Sequence, residues 1–305
     1  MTVTRRGLLE TSLAISGAAM PFVARAQVIG SADQKQQGAP NSVVRSTVRT
    51  VEPSGEITWH VEQAGSGPDV VLVPSGEGDC GSFGKVIDNL ARDFRVTTFD
   101  TPGFSRSKVS DGVEVSMTAL GRQVASLIEK LGLGKATIYG CSSAGLALLD
   151  LVSNHEQLVR RAVVHEAALP ELSGKDSPLG YLAALDDAGI VAACTDLFAN
   201  FINEDKAAWM ALGEEYHKRL AANYVTWVRR YLVGPQHGAV DPKSLAGRPI
   251  KWTIGELFEV KMFFSNVRLA HQAGIDLGTL PCKHFPQVSI PGVLAEHIRA
   301  AALSS

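Results

Sequence analysis

A chain of 305 residues, 45% apolar and 20% charged, can bury one large core or a core carrying an insertion. Its net charge of −2 offers no basic face of the kind that holds a nucleic acid, which excludes that class of partner. Cys80, Cys141, Cys194 and Cys282 are widely spaced, with no C-x-x-C pair and no histidine at ligand intervals, so neither a zinc site nor an obligatory disulfide is expected.

In chain order, the N-terminus reads as an address. Thr4-Arg5-Arg6-Gly7-Leu8-Leu9 has the twin-arginine pattern, with Leu9 where Phe is the stronger residue. An apolar stretch over 8–23, interrupted by Glu10, leads to Ala24-Arg25-Ala26, the small-x-small pattern of a signal peptidase site. The stretch falls short of the roughly 20 apolar residues of a membrane span. Residues 1–26 are therefore expected to be a signal peptide for the twin-arginine export machinery, with a periplasmic or secreted destination and no membrane contact after its removal. The remaining chain carries −4, because the segment holds three Arg and one Glu. Residues 27–42, rich in Gln, Ser, Gly and Ala, read as a flexible tether.

Strand-like runs follow at 43–51, 57–63, 69–73 and 95–99. Beyond about residue 115, strands alternate with helical patterns. Leu120, Val124, Leu127, Ile128 and Leu131 recur at helical spacing before a strand at 136–139, a helix at 144–152 and a strand at 161–164. Further strands are predicted at 250–254 and 275–280. Early antiparallel strands followed by β-α alternation predict a mostly parallel sheet with helices on both faces. Between Leu169 and Gly247 the alternation stops, and helical runs at 179–201 and 205–231 replace it. This predicts a helical cap, 169–247, inserted into a core of 43–168 and 248–305. Trp209, Tyr216, Tyr224, Trp227 and Tyr231 of the cap are candidates for a pocket wall, and for each the alternative is packing of the cap against the core.

The chemical signal is Ile138-Tyr139-Gly140-Cys141-Ser142-Ser143-Ala144-Gly145. It places Ser142 on a strand-to-helix turn, the nucleophile elbow G-x-S-x-G with Ala144 at the second small position. The turn aims the Ser143 amide, backed by the positive end of a helix, at a developing oxyanion. A second oxyanion donor is expected from Pro74-Ser75-Gly76-Glu77-Gly78-Asp79, with the amide of Gly76 favoured, since glycine lets backbone approach a ligand closely. Glu77 conflicts with that role unless it points away or binds a substrate hydroxyl. The base is expected after the last strand, at His284 in Pro281-Cys282-Lys283-His284-Phe285-Pro286. For the acid, Glu256 and Glu259 after the penultimate strand compete with Glu166, which directly follows a buried strand. Geometry leaves that choice open.

These residues also carry a resemblance. Ile57-Thr58-Trp59, residues 67–74, Phe94-Arg95-Val96-Thr97-Thr98-Phe99-Asp100 and Pro102-Gly103 resemble the fungal zearalenone hydrolases, a lactonase family. So do Gly140-Cys141-Ser142-Ser143, His165-Glu166, Trp252-Thr253 and His284-Phe285-Pro286. The match runs from about 55 to 300. It implies an α/β-hydrolase fold, a Ser142, Glu166 and His284 triad, oxyanion donors at Gly76 and Ser143, and a cap tryptophan lining the pocket at Trp227. Departures fall at Ser75, where the family has Asp, at Glu77, where it has an apolar residue, and over 169–209. Ser75 and Trp227 are expected to contact substrate.

The resulting expectation is a serine hydrolase acting on a carboxylic ester, a lactone foremost, through an acyl-enzyme and without metal or cofactor. The alternatives are a carbon–carbon bond hydrolase with the same triad and a non-catalytic ligand-binding protein that keeps the pocket. Expected partners are a small ester or lactone, the export machinery and, as one option, a second copy of the chain.

Overall fold

A computed structural model of the protein describes residues 42–172, 174–235 and 238–304. The segment expected to be a signal peptide, and all of the expected tether except Ser42, lie outside the described residues. Nine strands form one sheet: β1 (Val44–Glu52), β2 (Gly55–Ala64), β3 (Asp69–Val73), β4 (Arg95–Phe99), β5 (Lys108–Val109), β6 (Ala136–Cys141), β7 (Val159–His165), β8 (Ile250–Gly255) and β9 (Leu277–Leu280). Their order is β1-β2-β4-β3-β6-β7-β8-β9, with β5 pairing on β2.

Only the pairs that involve β1, β2 and β5 are antiparallel; from β4 to β9 the sheet is parallel. This corrects the placing of 69–73 among the early antiparallel strands, while 95–99 pairs antiparallel with β2 on one side and parallel with β3 on the other, where Asp69 registers with Arg95 and Leu72 with Thr98. A parallel pair needs a crossover, and the short helix Gly84–Leu90 supplies it. That helix went unread because only Val86, Ile87 and Leu90 mark its buried face.

Covering both faces of a strand removes polar alternation, and β6 is buried at all six positions. Successive side chains then feed two different cores. Val71, Val73, Ile138, Ala162 and Val164 pack with the helices Met117–Lys130 and Ser143–Asn154. Val70, Leu72, Tyr139, Cys141 and Val163 pack with Gly84–Leu90 and Pro291–Leu303. Full burial stabilises by roughly 1.5–3 kcal/mol for each large aliphatic side chain, so a one-residue register slip would exchange both cores at once. Helix Met117–Lys130 starts where Ser116 caps it, its hydroxyl accepting from the Ala119 N–H.

Between β7 and β8 the described residues contain helices and no strand. Asp187–Asp196 runs on as a π turn at Leu197–Phe201, and Glu214–Thr226 as another at Trp227–Leu232. Leu182, Ile190, Phe198, Trp209, Leu220 and Val228 form a third apolar cluster, which reaches the core through Phe285 and Val288.

Candidate active site

The site lies at the carboxyl ends of the parallel strands, where loops diverge and leave room for a ligand. β6 ends at Cys141, and Ser142 takes φ 58°, ψ −122° before the helix Ser143–Asn154. A non-glycine residue at positive φ costs of the order of 1–3 kcal/mol and persists only where its surroundings fix it. Here the Ser142 N–H donates to the His165 carbonyl at 3.1 Å, and its own carbonyl accepts from Ala168 and Leu146 at 2.9 and 3.0 Å. The demand for small residues is also visible. A Cβ on Gly140 would come 2.8 Å from the Ala144 backbone, and one on Gly145 would come 3.0 Å from the Ala167 Cα. Gly145, one place beyond the motif, therefore matters for packing in a way the motif does not state.

β7 runs directly into Glu166, which is also strained, at φ 42°. Its Oε2 lies 2.5 Å from His284 Nδ1, while Oε1 accepts from the Gly255 N–H at 2.8 Å. Glu256 instead accepts from Thr279 on the surface, and Glu259 pairs with Lys261. The choice left open by sequence position thus falls on Glu166. Burial alone would raise its carboxyl, but the hydrogen bond and charge of His284, with help from His165 and Gly255, hold it below the ordinary carboxylate value.

His284 sits in a loop anchored from both sides. The Cys141 thiol donates to the His284 carbonyl at 3.0 Å, and the His284 N–H donates to the cap carbonyl of Ile202 at 3.0 Å. Phe263 stacks on the imidazole with centroids 5.0 Å apart and planes 16° from parallel. With Nδ1 committed to Glu166, Nε2 is the ring atom left for a reacting hydroxyl. Ser142 and His284 line one cavity, and among the described residues no hydrogen bond joins them. Such contacts are often loose before substrate binds and tighten in the complex.

Ser75, Gly76 and Ser143 line the same cavity. Ser143 is the first residue of its helix, so its N–H has no intrahelical acceptor. The Gly76 N–H donates no hydrogen bond among the described residues. Glu77 turns away from the cavity, fully buried, with Oε1 accepting from Ser82 Oγ at 3.1 Å. Of the two orientations sequence allowed it, this is the first. Burial pushes its carboxyl up to about 7, so near neutrality it keeps a large share of its proton.

The cavity holds about 710 Å3 of empty space, its mouth included. Met117, Leu172, Phe198, Trp227, Met262 and Phe285 are among its walls, and no Asp, Glu, Lys or Arg among the described residues lines it. Of the five cap aromatics singled out from the sequence, Trp227 alone does so, joined by Phe198 and Phe201 of the same cap. Trp209, Tyr216 and Tyr224 fill the third apolar cluster, and Tyr231 packs on Phe104 in the main core. Those four are packing residues.

One other cluster brings metal-type donors together. His60, Glu62 and Cys80 each place a donor atom within 4.8 Å of the others, but Arg106 already reaches Glu62 and Cys80 Sγ at 3.2 Å each. A guanidinium at that point opposes a second cation. Burial, with Asp100 nearby, also keeps the Cys80 thiol well above its ordinary value and protonated.

Comparison with known proteins places the chain in a family. The alpha/beta hydrolase fold family matches residues 68–232. A zearalenone hydrolase of Bionectria ochroleuca is 38% identical over 260 residues, covering 83% of this chain and 96% of the relative. The chain belongs to the zearalenone hydrolase family. A zearalenone hydrolase of Cladophialophora bantiana is 36% identical, covering 84% of this chain and 95% of the relative. Among solved structures, a carboxylesterase from Bacillus subtilis shares the fold, with a TM-score of 0.66 at 17% identity over 86% of this chain and 93% of that one.

Within this hydrolase family member, sequence reasoning missed three kinds of site residue. Phe263 on His284 belongs to an apolar run after β8 that carries no period. His165, buried behind Glu166 with Nδ1 2.9 Å from Thr253 Oγ1, was quoted only as part of a dipeptide. Burial pushes its imidazole down to about 4. The polar cap residues Arg219 and Asn223 belong to no sequence motif.

Proposed function

We propose that this hydrolase opens a lactone, or cleaves a related carboxylic ester, through an acyl-enzyme on Ser142. The observation that carries the reading is a strained serine sharing an apolar cavity with a histidine whose other ring nitrogen is held by a buried carboxylate. His284 Nε2 takes the Ser142 hydroxyl proton as Oγ attacks the carbonyl carbon. Glu166 keeps the imidazole in the tautomer with the proton on Nδ1 and stabilises the imidazolium. The amides of Gly76 and Ser143 bind the tetrahedral oxyanion, each worth about 3 kcal/mol in comparable sites. His284 then returns the proton to the alkoxide, which in a lactone stays attached to the acyl group. A water activated by His284 releases the acid and restores Ser142.

The cavity bears on substrate class. Among the described residues its walls carry no Asp, Glu, Lys or Arg, which favours a neutral and largely apolar ester over an ionised one. Zearalenone, named for the relatives, is the first compound to try. The test is hydrolysis of zearalenone and of neutral aryl esters by the wild type, Ser142→Ala and Glu166→Gln. Full activity of Ser142→Ala on every ester would end the proposal.

We further propose that the chain is exported to the periplasm or beyond by the twin-arginine route, on the support of Arg5-Arg6 and Ala24-Arg25-Ala26. Replacing both arginines by lysine should leave an unprocessed cytoplasmic precursor, and unchanged export would refute the assignment.

A further inference from the structure

The cap helix Glu214–Thr226 and its π-turn continuation meet the Gly76 loop at every fourth residue. Arg219 binds Asp79 with two hydrogen bonds, Nε to Oδ2 at 2.5 Å and Nη2 to Oδ1 at 3.1 Å. Asn223 Nδ2 donates to the Glu77 carbonyl at 2.7 Å. Trp227 lies on Gly76 so closely that a Cβ there would be 2.6 Å from the indole Nε1. Residues 219, 223 and 227 share one helical face, and they meet loop residues 79, 77 and 76 in reverse order. A cap that merely covered the cavity would need apolar contact alone. This one grips the backbone of the loop beneath it.

Asn223 is the node of the grip. It is fully buried, and besides Glu77 it serves Ser105 twice, accepting from the Ser105 N–H at 2.8 Å and donating to Ser105 Oγ at 2.8 Å. Ser105 is one of three non-glycine residues at positive φ among the described residues; the other two are Ser142 and Glu166. Its hydroxyl donates in turn to Asp79 Oδ2 at 2.6 Å. Backbone strain thus recurs where the cap, the loop and the turn at Ser105 converge, a place that holds no reacting atom. Strain of this kind persists only where surrounding bonds over-determine it.

We propose that Arg219 and Asn223 are positioning residues for the Gly76 loop, so that the cap sets the oxyanion donor and contributes to the chemical step as well as to binding. The proposal rests on the reading of Gly76 given above. Donor placement is sensitive, since a displacement of about 1 Å can cost on the order of 100-fold in rate.

The test uses Asn223→Asp, which keeps the shape but turns an acceptor toward the Glu77 carbonyl, and Arg219→Gln, at a half-exposed position with less risk to folding. On a neutral aryl ester, kcat should fall about 10- to 100-fold in the first and several-fold in the second, with KM within about threefold of wild type. Inhibition by phenylboronic acid, whose tetrahedral adduct on Ser142 occupies the same oxyanion position, should weaken in step with kcat. Arg219→Lys should recover most of the loss seen with Gln. Amide hydrogen exchange over residues 74–79 should quicken in both variants, a readout that needs no turnover. Unchanged exchange there, or unchanged kcat in both variants, overturns the proposal, and so does a rise in KM with kcat intact. If Ser142→Ala stays active while the loop exchanges faster in the variants, the acyl-enzyme reading fails instead, and the catalytic half of this proposal falls with it.

Discussion

The sheet side of the cavity and the cap side are built by different means. On the sheet side, Ser142, Glu166 and His284 leave the ends of strands or the loop after β9. Backbone hydrogen bonds to neighbouring strands hold the first two, while His284 is held by the Cys141 thiol and, from across the cavity, by the cap carbonyl of Ile202. Two of those residues sit at positive φ, which shows how firmly the sheet edge dictates their place. On the cap side, Leu172, Phe198, Ile202 and Trp227 contribute apolar surface, and the cap is tied down by a few polar contacts at Asn223, Arg219 and Glu204. A rigid edge can serve one chemistry for many substrates, whereas a wall of side chains on short helices can be rebuilt without disturbing it.

Substitutions at the two walls should therefore fail in different ways. Ser142→Ala should lower kcat by about 10^4- to 10^6-fold with the fold intact, measured on any ester the wild type cleaves. A loss below tenfold would break the distinction at its strongest point. Glu166→Gln should cost about 10^3- to 10^4-fold, because an amide cannot hold the imidazole in its working tautomer or stabilise its charged form. A loss confined to KM would show that His284 is held by its loop alone.

A third prediction concerns stability. The Glu77 carboxyl is raised to about 7 when folded, against an ordinary value near 4.5. Between those values the folded chain keeps a proton that the unfolded chain has released. The Glu77 contribution to stability is therefore greatest below about pH 4.5, declines as pH rises to about 7, and then levels off. Glu77→Gln lacks that decline. It should gain on the order of 3 kcal/mol over wild type at pH 8 and almost nothing at pH 4. Equal differences in chemical denaturation at the two pH values would contradict it. The smallest effect is expected at the cap. Trp227→Phe keeps an aromatic wall but loses part of its area, and should raise KM by about 3- to 10-fold with kcat within about threefold. A larger fall in kcat would move Trp227 from the wall to the loop-setting face it shares with Asn223.

What the sequence disclosed follows the same division. Ser142, Gly76 and His284 could be read because each is tied to a local pattern: a small-x-Ser-x-small turn, a glycine loop after a strand, and a prolyl loop after the last strand. Glu166 could not be separated from Glu256 and Glu259 by position, because both loops end at the same sheet edge. Resemblance chose it, and the distance to His284 gives the physical reason. The crossover helix Gly84–Leu90 was missed because two turns leave too few residues to show a period. For the cap aromatics the sequence allows wall or packing, and packing holds for four of the five named. Trp209 and Tyr216 have the composition of a pocket wall, and only tertiary packing reveals that they face each other, 5.9 Å apart, inside the cap. Asn223 was invisible for the opposite reason, since a polar residue on a helix gives no sign in sequence that its amide is buried.

The four cysteines give the molecule an internal clock for unfolding. All are free and buried, and burial raises each thiol, Cys194 to about 12. An alkylating reagent needs both access and a thiolate, so none of the four should react until its own neighbourhood opens. Cys194 reports on the cap, Cys141 on the elbow, Cys282 on the loop of His284 and Cys80 on the segment after the Gly76 loop. The order in which they become modified under mild denaturant would trace which part of the protein lets go first.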